Sequence, residues 1–231
     1  MTVLTKEELS VPRSAADMLP WALAAHSRFT ATPALRAMAR DGRGFAKQLA
    51  QEALPMARFA YRYFNASSDV LITHVLGNQT YDGVVEDKRS PIGTVRFIEV
   101  TDSTWDETEA LRMELLSRDG YAPGYGKVHA QGRKGRRTRL EGETEMRDVN
   151  AHPVQHLDRV REVVCAKASR KYPDGTALVV HVDDAIRFRD SPAVAALESL
   201  ALMELVPLLS GREFRVLVLE GSNGLYRAYT L

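Results

Sequence analysis

A single cysteine, Cys165, occurs in 231 residues, which excludes an intramolecular disulfide and any zinc site built on paired cysteines. A reducing, cytoplasmic setting is the expectation that follows. A strong charge of either sign is also missing. Thirty-one Lys and Arg face 30 Asp and Glu for a net charge of +1, so a polyanionic partner has to be met by a local patch. The N-terminus, MTVLTKEELSVPRSAADMLPWALAAHS, carries acids where a signal peptide is basic, and no apolar run approaches the roughly 18 residues of a membrane span. No membrane partner is expected, and export without a signal peptide stays compatible with this. The Gly-x-Ser-x-Gly elbow, the Walker-type phosphate loop and the dinucleotide fingerprint are absent, which removes the main support for serine hydrolase, NTPase and dehydrogenase chemistry. There is no internal repeat, low-complexity tract or Pro/Ser linker.

What is present is an ordinary globular composition, 45% hydrophobic and 26% charged, sufficient for a real core. Residues 1–44 read as a helical N-terminal extension through SAADMLPWALAAHSRF and TPALRAMAR. A further helix, GFAKQLAQEALPMARFAYRYF, has Ala, Leu and Phe at three- and four-residue spacing, with Pro55 expected to kink or divide it. From Asp69 the period changes: DVLITHVL, YDGVVE and GTVRFIEVT read as a meander of strands. A helix from Ser103 or Thr104 carries the stripe Leu111, Leu115, Leu116 and ends at Gly120. GKVHAQG and RTRLEGE read as edge strands. A helix at 153–171, the strand TALVVHVDD, a helix at 191–209 and the pair FRVLVLEG and LYRAYTL, joined through Asn223-Gly224, complete the chain. The expected class is α/β: one domain over 1–231 with a mixed central β-sheet flanked by helices, a core at 45–140, and 141–231 completing the sheet.

Two acids interrupt the apolar strands. If YDGVVE and GTVRFIEVT form a hairpin centred between Ser90 and Pro91, facing residues have numbers summing to about 181, and Asp82 faces Glu99. Directly opposed residues hold their Cβ atoms roughly 4.5–5.5 Å apart, so two like charges meet and call for a cation between them. Mg²⁺ fits, since it is held by one or two carboxylates with waters and phosphate oxygens. Alternation puts Thr101 on the face of Glu99, with Arg96, Ile98 and Val100 on the other. Glu52, in KQLAQEALPMARF, is placed to reach the same metal, although a solvated helix face would look the same.

An acid beginning one strand, a Glu-x-Lys-type tripeptide on the next, a helix after it, and a preceding helix with a further acid together resemble the PD-(D/E)xK, or restriction-endonuclease-like, superfamily. The resemblance covers about residues 45–130. It implies a restriction-endonuclease-like core and phosphodiester cleavage with Mg²⁺ or Mn²⁺ held by Asp82, Glu99 and Glu52. It also implies a catalytic set of Asp82, Glu99 and Thr101, in which Thr101 stands where the family has a lysine that orients the attacking water and stabilises charge. Lys88, six residues from Asp82, is roughly 20 Å away at about 3.3 Å per strand residue. Arg112, Lys127 and His129 are topologically better placed to supply the missing group.

Between Lys127 and Arg139, KVHAQGRKGRRTR contains six Lys or Arg and no acid. Lys127, Arg133, Lys134, Arg136, Arg137 and Arg139 would contribute non-specific, salt-dependent affinity for nucleic acid, with DNA ahead of RNA. A solvated surface loop has the same composition. Arg112 has an alternative partner in Glu109 at i,i+3. Asp183 and Asp184 at a strand end, and His152 and His156 at i,i+4, are weaker metal candidates. Two further functional classes are compatible with the sequence: a catalytically inactive nucleic-acid-binding module on the same fold, and a scaffold in which the acids make ordinary polar contacts.

Overall fold

Runs of β-branched residues build most of the sheet. Every strand after residue 69 falls, to within a residue at its end, in a segment read as a strand from the sequence, whereas the short strand at Arg13–Ser14 lies in the stretch read as wholly helical. The computed structural model describes residues 3–40, 42–91, 93–104, 107–123, 126–132, 139–144, 152–185, 188 and 191–231. In chain order the elements are α1 (Lys6–Leu9), β1 (Arg13–Ser14), α2 (Ala15–Thr30), α3 (Pro33–Arg40) and α4 (Ala46–Gln48), then a π-helical turn (Leu49–Ala53) and α5 (Leu54–Tyr63). Next come β2 (Val70–His74), β3 (Gly83–Asp87), β4 (Phe97–Asp102), α6 (Glu107–Asp119), β5 (Val128–Gln131) and β6 (Arg139–Gly142). The chain closes with α7 (His152–Ala168), β7 (Thr176–Val182), α8 (Ser191–Leu200), a second π turn (Ala201–Leu205), α9 (Val206–Leu209), β8 (Phe214–Gly221) and β9 (Tyr226–Thr230).

Seven strands form one mixed sheet in the order β1-β2-β3-β4-β7-β8-β9. The first four are antiparallel neighbours, β4, β7 and β8 run parallel, and β9 returns antiparallel on β8. The sequence reading puts β5 and β6 at an edge of this sheet. The structure instead pairs them only with each other, over α6, where Val128 and Leu140 meet Leu111 and Leu115 in a small separate cluster. One buried residue per strand covers a helix stripe but leaves nothing to bury against a second layer.

The two faces of the main sheet close two cores. On one, Ile72, Ile98, Val100, Val179 and Val218 meet Met18, Ala22 and Phe29 of α2 and Met56 and Phe59 of α5. On the other, Leu178, Val180, Leu217 and Leu219 meet Val160 and Val164 of α7 and Leu197, Leu205 and Leu209. Strands buried on both faces need apolar residues at every position, which is why TALVVHV and FRVLVLEG show so little alternation. The N-terminal helices belong to the first core, and β1 pairs with β2; they do not project from the fold.

Pro55 does not divide its helix. A proline withholds an N–H and presses on the carbonyl four residues back. The π turn before it relieves this by widening the ladder, so that the Leu54 N–H reaches the Leu49 carbonyl. The same device precedes Pro207, where the Val206 N–H reaches Ala201. Together α8, the second π turn and α9 form the one helix among the described residues that is long and apolar enough to cross a membrane, 19 residues at mean hydropathy 1.6. That is a longer apolar segment than the sequence reading allowed. Its Leu197, Leu200, Ala201, Leu205 and Leu209 are buried in the second core, and Glu204 pairs with Arg161 at 2.6 Å.

Gly83 sets how closely α5 sits on β3. A Cβ there would meet Met56 Sδ at 2.7 Å and Cε at 2.9 Å, inside a packed core. Gly83→Ala is expected to lower stability by about 1–3 kcal/mol through overpacking, read as the urea midpoint. An unchanged midpoint would mean that Met56 swings aside freely.

Candidate active site

The β3–β4 hairpin pairs Gly83 with Ile98 and Val84 with Phe97, the register in which residue numbers sum to 181. Asp82 therefore enters the ladder opposite Glu99. Its N–H donates to the Ile98 carbonyl at 2.8 Å, and its Oδ2 accepts the Val100 N–H at 2.8 Å. The carboxylate thus takes the place of a strand carbonyl and is fixed in orientation. The far end of the hairpin is held by Asp87, which accepts the Arg89 N–H, Nε and Nη2 and the Gly93 N–H at 2.6–3.0 Å. Those bonds, from Arg89 above all, hold the Asp87 carboxyl well below the usual range.

Glu99 lies on the face of the second core, beside Leu178 of β7, and is 5% exposed. Its Oε1 forms an ion pair with Nζ of Lys167 on α7, and the Tyr172 hydroxyl lies 3.5 Å from the same oxygen. Burial, and then the charge of Asp82, push the Glu99 carboxyl up to about 7 against the opposing pull of Lys167. Asp82 is also raised, by burial and by the charge of Glu52, while the Val100 N–H, Lys167 and His74 oppose the rise. Two acids held together, each resisting ionisation, with an ammonium between α7 and the sheet, make a site organised around negative charge.

Glu52 approaches from the opposite face. It sits in the first π turn, with Oε2 3.0 Å from Nε2 of His74. His74 is buried and pairs with Gly83, next to Asp82. The hairpin acids therefore have Glu52 of the first π turn and His74 of β2 on one side, and Lys167 of α7 and Tyr172 of the loop after it on the other.

Three residues of this group are not singled out by the sequence reading. Lys167 has a local signature all the same. Val160, Val163, Val164 and Ala168 form the buried stripe of α7, and position 167 lies three and four residues after Val164 and Val163, on that stripe. A lysine there must find a buried partner. His74 and Tyr172, at the edge of strand and loop, carry no comparable pattern.

Thr101 shares the face of Glu99, opposite Val180. Arg112 is engaged elsewhere: its Nη2 donates to the Gly126 carbonyl at 2.7 Å, tying α6 to the loop before β5. The expected side-chain pairing with Glu109 lies outside the described residues. His129 is on the separate β5–β6 hairpin, exposed, 2.9 Å from Glu143. Neither supplies the missing lysine, because the hairpin that carries or receives them is not part of the main sheet. Of the basic run, Lys127 is exposed and Arg139 pairs with Glu141 at 2.5 Å; Arg133, Lys134, Arg136 and Arg137 lie outside the described residues. Asp184 is spent on structure, accepting the Asn223 and Leu225 N–H groups at 2.9 Å in the β8–β9 turn. His156 packs on Phe188 with centroids 5.0 Å apart, and the side chain of His152 is outside the described residues.

Among the described residues no group of three or more His, Cys, Asp or Glu side chains converges closely enough to hold a metal ion by itself. Two carboxylates remain compatible with Mg²⁺ or Mn²⁺, which complete their shells with waters and substrate phosphate oxygens. Oδ1 of Asp82 and Oε2 of Glu99 are the oxygens left for such a role, since Oδ2 serves Val100 and Oε1 serves Lys167. No family model, curated protein or solved structure matches the chain.

Proposed function

We propose that the protein is a metal-dependent phosphodiesterase acting on nucleic acid, with a PD-(D/E)xK-like, restriction-endonuclease-like core in which the lysine comes from α7. The observation that carries this reading is the Lys167 ammonium bound to Glu99 beside Asp82: acid, acid and lysine are assembled although Thr101 stands in the motif's third place. If bound by Asp82 and Glu99, Mg²⁺ or Mn²⁺ would supply Lewis acidity at the phosphate and lower the pKa of a bound water, while Glu52 is held on His74 and does not join them as a third ligand. Lys167 holds a fixed positive charge where negative charge grows on the phosphate, an arrangement that needs no reorganisation during reaction. The Val100 N–H orients Asp82, and the Tyr172 hydroxyl, 3.5 Å from Oε1 of Glu99, meets the same oxygen that Lys167 holds.

The experiment is direct: single- and double-stranded DNA and RNA are incubated with the protein and Mg²⁺, Mn²⁺ or EDTA. Cleavage with either metal and none in EDTA is expected. Binding without cleavage under every condition would favour the second reading, an inactive nucleic-acid-binding module, for which Thr101 in the lysine position is the motivating observation.

A further inference from the structure

The acid pair has an aromatic neighbour on each side of the hairpin. Tyr81 directly precedes Asp82, and Phe97 lies two residues before Glu99 on the same face of β4. The two rings pack with centroids 4.7 Å apart and planes inclined at 46°. Both side chains are half-buried, and neither belongs to the core on either face of the sheet. Large aromatic rings usually carry core or interface energetics, so a pair left outside both cores and open to solvent is available to a ligand. Along a strand, two residues span about 6.6 Å, comparable to the reach from a phosphate across its sugar to the attached base. Arg170 is exposed at the same site, close enough for its charge to act on Glu99 and Tyr172.

We infer that Tyr81 and Phe97 form a stacking platform for the base of the nucleotide whose phosphate lies at Asp82 and Glu99. The substrate is accordingly a single strand, or a frayed end, and not intact duplex. In a duplex both faces of an internal base are covered by its neighbours, so only an unstacked base can lie on a protein ring. The phosphate's position rests on the phosphodiesterase reading above; the platform itself rests on the ring pair.

The test is fluorescence anisotropy at fixed low salt, in EDTA and again in Ca²⁺, with a labelled single-stranded oligodeoxynucleotide, the same strand carrying abasic sites, and a blunt duplex. Wild type is expected to bind the normal strand about 5- to 150-fold more tightly than the abasic one, the range for loss of one stacked base, and more tightly than duplex. Phe97→Leu and Tyr81→Leu should erase the difference while keeping the wild-type affinity for the abasic strand and a cooperative melt. Equal binding of normal and abasic strands by wild type, preference for duplex, or no binding of any strand overturns the proposal, and this comparison does not depend on any variant folding. Base-dependent binding by a wild-type protein that cleaves nothing would support the platform and sink the catalytic reading. Cleavage of duplex with no base dependence would do the reverse.

Discussion

Glu99→Gln is expected to reduce metal-dependent cleavage by about a thousand-fold or more, since a lost metal ligand removes several kcal/mol of transition-state stabilisation and each 1.36 kcal/mol is tenfold in rate. The same substitution should make the metal-free protein more stable at alkaline pH. The Glu99 carboxyl titrates near 4.5 in the unfolded chain and near 7 in the fold. The folded state therefore binds this proton more tightly, and the stability linked to it is present below pH 4.5 and lost as pH rises to 7. Glutamine has no charge to bury. In EDTA at pH 8 the variant should exceed wild type by on the order of 1–3 kcal/mol, after allowance for the partner that Lys167 loses, and the gain should fade towards pH 4.5. Urea titrations at pH 5 and pH 8 read this directly. A variant that is less stable at pH 8 would mean that the ion pair with Lys167 outweighs both burial and the repulsion from Asp82. Retained cleavage would remove Glu99 from the site.

Lys167→Met should lower cleavage about 10²- to 10³-fold, the usual loss when one preorganised donor to transition-state charge is deleted. Metal affinity, measured calorimetrically with Mn²⁺, should hold or rise, because the cation competing for Glu99 has gone. The stability cost at neutral pH is held to about 2 kcal/mol, since Glu99 can take up a proton when its partner is missing. Thr101→Lys in the Lys167→Met background returns an ammonium to the face of Glu99 from the adjacent strand position, and at least a tenfold recovery is expected. Wild-type rates in Lys167→Met would place the lysine's role in folding alone.

The hairpin register was readable because one period-2 pattern on each side of Ser90-Pro91 leaves a single pairing that keeps Val85, Ile98 and Val100 inside. A slip of one residue would turn all of them to the opposite face. The parallel half of the sheet was readable only as buried strands, since runs such as TALVVHV carry no phase. Lys167 is separated from Glu99 by 68 positions in the chain, and no local rule joins a helix residue to a strand that far away. What α7 shows locally is the anomaly itself, a lysine on an apolar stripe, whose explanation lies in the strand below it. The separate position of the β5–β6 hairpin is illegible for a related reason: its strands look like any other short strands until the number of buried side chains they own is known.

The two layers that meet at Asp82 and Glu99 also set an order of assembly during synthesis. A chain grown from the N-terminus to Gly142 already contains both acids, Glu52 and His74, yet lacks α7 and the strand β7 beside which Glu99 is buried. Such a nascent chain has no ammonium to place beside the acids and no second layer to dehydrate them. On the phosphodiesterase reading, competence to cut would therefore arrive only once α7 and β7 have docked on the hairpin.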